Sequence, residues 1–392
     1  MIKILKKIKI AIKEKNLLHK IYKKIYPYYK GFFLFLLLKK NKVSIITPKK
    51  NVFDEDDLNL TGKIFESYKI MKKEQSTVDQ LYRPSSLWQK HIDLDFKLLK
   101  EALDTNDLKK FTFFLQNFGN WENYLGIENQ TLIKKYSKNF FLKKFLTNEI
   151  FYGQKKLWEY FNQNTSSLSD IHMPRHGNQN GAIVDNNFFV IGSFSNHIYA
   201  KIIKKYLDNN KRNIIFDLGG GYGKLAYYIL KDLKNYCFID FDIPEVLCLA
   251  TFYLSKCFPK KKIFLYGQEN FDNNTLKNYD LVFLPGWEIT KIADNEIDFA
   301  INKNSLGEMN SETSLNYLKH IHRTSNYFFS MNHEFFRNKF SDDSFSLINK
   351  EFNLNNNFKE LFRYPDLSHL IYENNKIDMN SDIFFYIYKK NK

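Results

Sequence analysis

Apolar residues recur along this chain with two periods. Between residues 51 and 195 they come at spacings of three and four, which predicts helices over 94–103, 108–118 and 132–161. From 162 to 187 the period disappears into Asn, Ser, Gly and His, predicting a long loop able to act as a lid. A helix over 196–207 follows. Short apolar runs then predict strands over 214–218, 236–241, 262–266, 280–284, 297–302, 326–331 and 383–388. A helical stretch at 225–233 joins the first two, so strand, loop, helix and strand arrive in the order of a βαβ unit. The third strand of the sheet is either 262–266 or 280–284, and 297–302 is expected as the fourth. The expected fold is α/β: a Rossmann-like sheet in the C-terminal half, preceded by a mostly helical region. Three segments result, namely an arm over 1–50, a helical acceptor-binding or cap region over 51–195, and a sheet domain over 196–392.

Charge changes this picture at one end only. Residues 1–50 hold 15 Lys against the single acid Glu14, so nearly all of the chain's net charge of +16 resides there. Ile2, Leu5, Ile8 and Ile12 fall on one helical face among these lysines. A basic amphipathic helix of this kind suits peripheral contact with an anionic membrane, and a solvated helix packed on the body is the plainer alternative. The apolar run 32–38 is far shorter than the roughly 20 residues of a spanning helix. It also has no small-residue cleavage site of a secretory signal after it. The arm lacks arginine and no nucleic-acid module follows it, so no nucleic-acid partner is expected. Cys237, Cys248 and Cys257 show neither metal-site spacing nor a disulfide framework, consistent with a cytoplasmic protein.

The chemistry concentrates at 214–223, Ile-Ile-Phe-Asp-Leu-Gly-Gly-Gly-Tyr-Gly. Asp217, Gly219, Gly221 and Gly223 form Asp-x-Gly-x-Gly-x-Gly, with Gly220 between. A dinucleotide loop would be Gly-x-Gly-x-x-Gly, and here Lys224 stands where its third glycine belongs. The tighter spacing suits a smaller group, such as the amino-acid half of S-adenosylmethionine. Asp242, at the end of the second strand, is placed to accept from ribose hydroxyls.

These residues, with Asp242-Ile-Pro-Glu-Val and Asn304-Ser-Leu-Gly-Glu-Met309, resemble class I S-adenosylmethionine-dependent methyltransferases over about the last half of the chain. Asn304–Met309 together with Tyr82-Arg-Pro-Ser-Ser-Leu-Trp88 is similar, more narrowly, to the bacterial sugar O-methyltransferase family. The resemblance implies S-adenosylmethionine as cofactor and a sugar hydroxyl as acceptor, on a nucleotide sugar or a surface-polysaccharide precursor.

Methyl transfer to a neutral hydroxyl calls for alignment and a base. The candidates for the base are His333, Glu308 and His176. Asn302, Asn304 and Ser305 are expected near the methionine end of the cofactor, and Tyr82, Arg83, Trp88 and Trp121 are candidates for acceptor binding. No metal site is expected, although Asp170, His172 and His176 share a loop that could bind a cation. A nicotinamide-dependent sugar oxidoreductase or epimerase is the competing reading, and a non-catalytic scaffold the third.

Overall fold

The computed structural model describes residues 25–26, 28–33, 36, 44–46, 52–120, 140–354, 358–368, 371–373, 376–378 and 382–391. The amphipathic face expected at Ile2, Leu5, Ile8 and Ile12 lies outside these residues, as does Trp121. Helices α1 (Leu58–Gln75), α2 (Ser86–Leu94), α3 (Lys97–Asp104), α4 (Leu108–Asn117) and α5 (Phe140–Asn162) come first. The expected helix 94–103 is α3, which starts three residues later because the chain turns at Asp95 and Phe96, the latter buried at 1% exposure.

Strand β1 (Ser44–Ile46) pairs with β2 (Gly181–Val184), which forms a hairpin with β3 (Asn187–Phe189). The expected loop over 162–187 is irregular as far as Asn180 apart from the single turn Leu168–Ile171, and its end is the β2–β3 hairpin. Asp185 and Asn186 both take positive φ at the hairpin turn, and Ile171 and Met173 are fully buried. Apolar residues too sparse for a period still anchor this segment.

Helix α6 (Ser193–Lys204) leads into β4 (Asn213–Leu218), α7 (Lys224–Leu230), β5 (Tyr236–Asp242) and α8 (Pro244–Cys257). Then follow β6 (Ile263–Leu265), α9 (Asn273–Asn278), β7 (Leu281–Pro285), β8 (Ile297–Lys303), α10 (Ser311–Thr324) and β9 (Ser325–His333). The chain closes with β10 (Phe358–Pro365), the small pair β11 (Ile371–Glu373) and β12 (Lys376–Asp378), and β13 (Ile383–Lys390). Eight strands build the main sheet in the order β10-β13-β9-β8-β4-β5-β7-β6. All neighbours from β9 to β6 are parallel, and β13 and β10 add antiparallel pairs at one side. Both 262–266 and 280–284 are thus strands. β7 takes the third place beside β5, β6 forms the outer edge, and β8 takes the fourth place beside β4.

β4 reads Asn-Ile-Ile-Phe-Asp-Leu, a nearly continuous apolar run, because helices cover the sheet on both faces. On one face α1, α4, α6, α7 and α8 share a core with Ile215, Phe238 and Phe299; on the other, Leu276 of α9 and Leu318 and Ile321 of α10 pack on Phe216, Ile239 and Ala300. The first of these cores runs from Ile64 to Ile387, so the N-terminal helices and the sheet share it.

Candidate functional site

Strand order reverses at β4. β5 lies on one side of it and β8 on the other, so their carboxyl ends flank a crevice where ligands of open parallel sheets bind. The chain leaves β4 into the glycine loop. Gly219, Gly221 and Gly223 have φ of 76°, 63° and 89°, left-handed backbone that glycine adopts without strain. Two of them also allow close approach. A Cβ on Gly219 would stand 2.3 Å from that of Ser305, and one on Gly223 would stand 2.8 Å from the Leu254 side chain. Gly223 thus provides the close helix packing that a dinucleotide loop obtains one position later. At that later position Lys224 opens α7 and sends its Nζ to the carbonyl of Ile191, 2.9 Å away.

Three carboxyls gather at this loop. Asp242 ends β5, where its Oδ2 accepts from the Gly221 amide at 3.2 Å and its Oδ1 from that of Ile243 at 2.7 Å. Asp217 and Asp240 are register partners across β4 and β5, at 2% and 0% exposure. Burial pushes Asp217 up to about 7 and Asp242 up to about 8, and raises Asp240 well above the usual carboxylate range with its two neighbours adding to the effect. Lys303 at the end of β8 is the cation that opposes the shift of Asp217. Asp240 escaped the sequence reading because it sits inside an apolar run, and its signal was an acid in a strand buried on both faces.

The segment after β8 closes the crevice. Asn304 adopts φ 71°, and its amide donates to the Met331 carbonyl at 2.7 Å. Ser305 donates through Oγ to the carbonyl of Leu218 at 2.7 Å, and Asn302 Nδ2 donates to the same carbonyl at 2.9 Å. Asn332 Nδ2 donates to Asn302 Oδ1 at 3.0 Å, and the Gly307 amide donates to Asn332 Oδ1 at 3.0 Å. Ser305 and Asn302 therefore buttress the end of β4 from behind.

Glu308 meets the N-terminal region. Trp88 Nε1 donates to its Oε2 at 3.0 Å, and Ser85 Oγ donates to its carbonyl oxygen at 2.9 Å. Ser85 is also the N-cap of α2, accepting from the Trp88 amide, so one hydroxyl fixes both the helix and its docking. Burial raises the Glu308 carboxyl to about 7 against the opposing pull of Trp88 and Lys303. Tyr82 lies edge-on to Tyr317, with ring centres 5.7 Å apart, and its hydroxyl is 3.3 Å from His320 Nε2. Arg83 turns elsewhere. Its Nε and Nη2 donate to the carbonyls of Val78 and Ser76, each at 2.9 Å, and tie down the chain after α1.

His333 ends β9 with Nδ1 2.7 Å from Asp382 Oδ2, and Asp382 also accepts from the amides of Phe335 and Phe336. The Cδ2 edge of its ring lies 3.6 Å from where a Cβ on Gly307 would stand, so the ring borders the segment after β8. Asp382 was missed because it lies 49 residues from its partner and precedes β13 in a short polar stretch. His176 is not brought to this group. Its ring packs on Tyr253 of α8, among Lys256 and Asp57, and burial lowers its pKa. Asp170 caps the turn Leu168–Ile171 and His172 Nδ1 accepts from the Phe188 amide, so both have structural partners. Among the described residues no cluster of His, Cys, Asp and Glu forms a metal site, and no helix is long and apolar enough to cross a membrane.

No family model matches the chain, and no curated protein is similar to it. Solved structures are similar. One is 1,6-didemethyltoxoflavin-N1-methyltransferase of Burkholderia thailandensis, solved with 1,6-didemethyltoxoflavin and S-adenosylhomocysteine; it is 12% identical, with 50% of this chain and 79% of that chain covered and a TM-score of 0.34. Another is a TehB-like SAM-dependent methyltransferase of Corynebacterium glutamicum, 12% identical over 49% of this chain and 86% of that chain, with a TM-score of 0.32. A third is TrmK of M. capricolum in complex with S-adenosylhomocysteine, 16% identical over 50% of this chain and 68% of that chain, with a TM-score of 0.29.

Proposed function

We propose that the chain is an S-adenosylmethionine-dependent O-methyltransferase acting on a sugar hydroxyl. The observation that carries the cofactor is the crevice at β4, where a left-handed glycine loop faces Asp242 and dinucleotide spacing is broken by Lys224. The residues present fit the group. Asp242 at the rim suits ribose hydroxyls, and the glycines leave room for close backbone approach. When bound, S-adenosylmethionine supplies an electrophilic methyl group on a cationic sulfur.

The chain's own part is to hold the acceptor and receive its proton. Asp382 accepts from Nδ1–H of His333, which leaves the Nε2 lone pair for the acceptor hydroxyl. His333 takes that proton as the acceptor oxygen gains the methyl, while the electron pair of the broken C–S bond stays on sulfur. We assign Glu308, held by Trp88, to orienting the acceptor hydroxyl. A sugar acceptor is supported by the meeting of 82–88 with 304–309, which sets Trp88 beside Glu308. Transfer of a radiolabelled methyl group from S-adenosylmethionine to a panel of nucleotide sugars tests the reading. Label appearing in one sugar, and lost with His333→Asn, is expected; labelled protein or nucleic acid with no labelled sugar would overturn it.

A further inference from the structure

The glycine loop lies over more negative charge than one ribose contact needs. Asp242 stands at the rim with both oxygens engaged, whereas Asp217 and Asp240 lie behind it and are almost completely buried. Oδ1 of Asp217 has no hydrogen-bond partner, and the Gly220 backbone of the loop itself is the one donor that favours ionised Asp240. Both carboxyls point at the loop: a Cβ on Gly220 would come within 2.9 Å of Asp240 Oδ1 and 3.3 Å of the Asp217 carboxyl carbon. A buried acid without a partner is expensive, and it persists where something outside the chain compensates it.

The groups facing the three acids come from every element around them. Lys303 on β8 lies near Asp217, Glu308 and Tyr317 lie near Asp242, and Lys224 on α7 lies near Lys303 with its Nζ already given to the Ile191 carbonyl. The three acids thus outnumber the two lysines, and one lysine is occupied.

We propose that Asp217 and Asp240, buried behind the loop, let the site distinguish the sulfonium cofactor from its spent product by charge. The inference rests on the cofactor reading above. S-adenosylmethionine carries one more positive charge than S-adenosylhomocysteine, at the sulfur. Ionised acids behind the loop attract that charge, and once the methyl has gone the attraction ends and the product is released. Protonated acids cannot discriminate in this way. Discrimination therefore rises with pH as the cluster loses its protons, and binding of the cationic ligand expels protons that the neutral-sulfur ligand leaves in place.

The test is the ratio of dissociation constants, S-adenosylhomocysteine over S-adenosylmethionine, measured by calorimetry between pH 6 and 8.5 for the wild-type chain and Asp240→Asn. Titration of the ligands themselves is common to both proteins and cancels in the comparison. The ratio is expected to rise about tenfold across this range in the wild type, one charge–charge interaction's worth at partly buried distances, and to rise markedly less in Asp240→Asn. Superimposable profiles would overturn the proposal. Should Asp240→Asn fail to fold, wild-type titrations in phosphate and in Tris decide the matter. More protons released with S-adenosylmethionine than with S-adenosylhomocysteine support the proposal, and equal release overturns it. Failure of the wild type to bind either ligand would instead remove the cofactor reading.

Discussion

At the scale of the residue, the site couples one histidine to one acid that fixes it. Replacing His333 by Asn should lower kcat by about 10²- to 10⁴-fold, the usual worth of a positioned base, and leave affinity for S-adenosylhomocysteine unchanged. A matching loss of affinity would assign the ring a structural role. The raised carboxyls make a second claim. Asp217 and Glu308 at about 7 and Asp242 at about 8 hold protons in the folded chain that the unfolded chain releases near pH 4. The folded state therefore binds more protons across that interval, and stability falls as the pH rises from about 4 to about 8. Thermal unfolding of the ligand-free chain should show a higher Tm at pH 6 than at pH 8; the opposite order would contradict the burial of these acids. Asp217, Asp242, Glu308, Trp88 and His333 were legible as residues worth watching. Their partners Asp240 and Asp382 were not, because a hydrogen bond across 49 residues and a charge hidden inside an apolar strand leave no local pattern.

At the scale of the element, the loop after β4 is set by backbone conformation and by what presses on it. Gly219→Ala would place a methyl group 2.3 Å from the Ser305 Cβ at φ 76°. Strain of this kind costs about 1–3 kcal/mol before the clash is counted. The variant should have a lower Tm and bind S-adenosylhomocysteine at least tenfold more weakly, while Ser305→Gly in the same chain should recover part of both; no recovery would refute the contact. Parallel strands buried on both faces announce themselves as apolar runs, and for that reason β4, β5, β7, β8 and β9 were readable. β10 was not, since its five central residues Lys359–Arg363 are exposed on the sheet's side and read as a polar stretch with scattered aromatics. The hairpin of β2 and β3 was hidden likewise, in a segment where asparagines and glycines outweigh its few buried anchors.

At the scale of the whole molecule, the helical region and the sheet behave as one packed body. Tyr68 and Lys72 of α1 reach Glu245 of α8 at 3.4 and 2.7 Å, Lys256 meets Asp57, and a single core joins Phe65 and Phe111 to Phe252 and Phe283. Unfolding should be one cooperative transition, followed in parallel by near-UV and far-UV circular dichroism; two separated transitions would show that the helices and the sheet fold independently. The join also explains the meeting of Tyr82–Trp88 with Asn304–Met309, two segments some 220 positions apart that only the assembled core brings together. The claim on which the rest depends is the cofactor. Calorimetric titration of the purified chain with S-adenosylhomocysteine, and separately with NAD, tests it most directly: micromolar binding of the first and none of the second is the predicted result, and binding of NAD alone would contradict it.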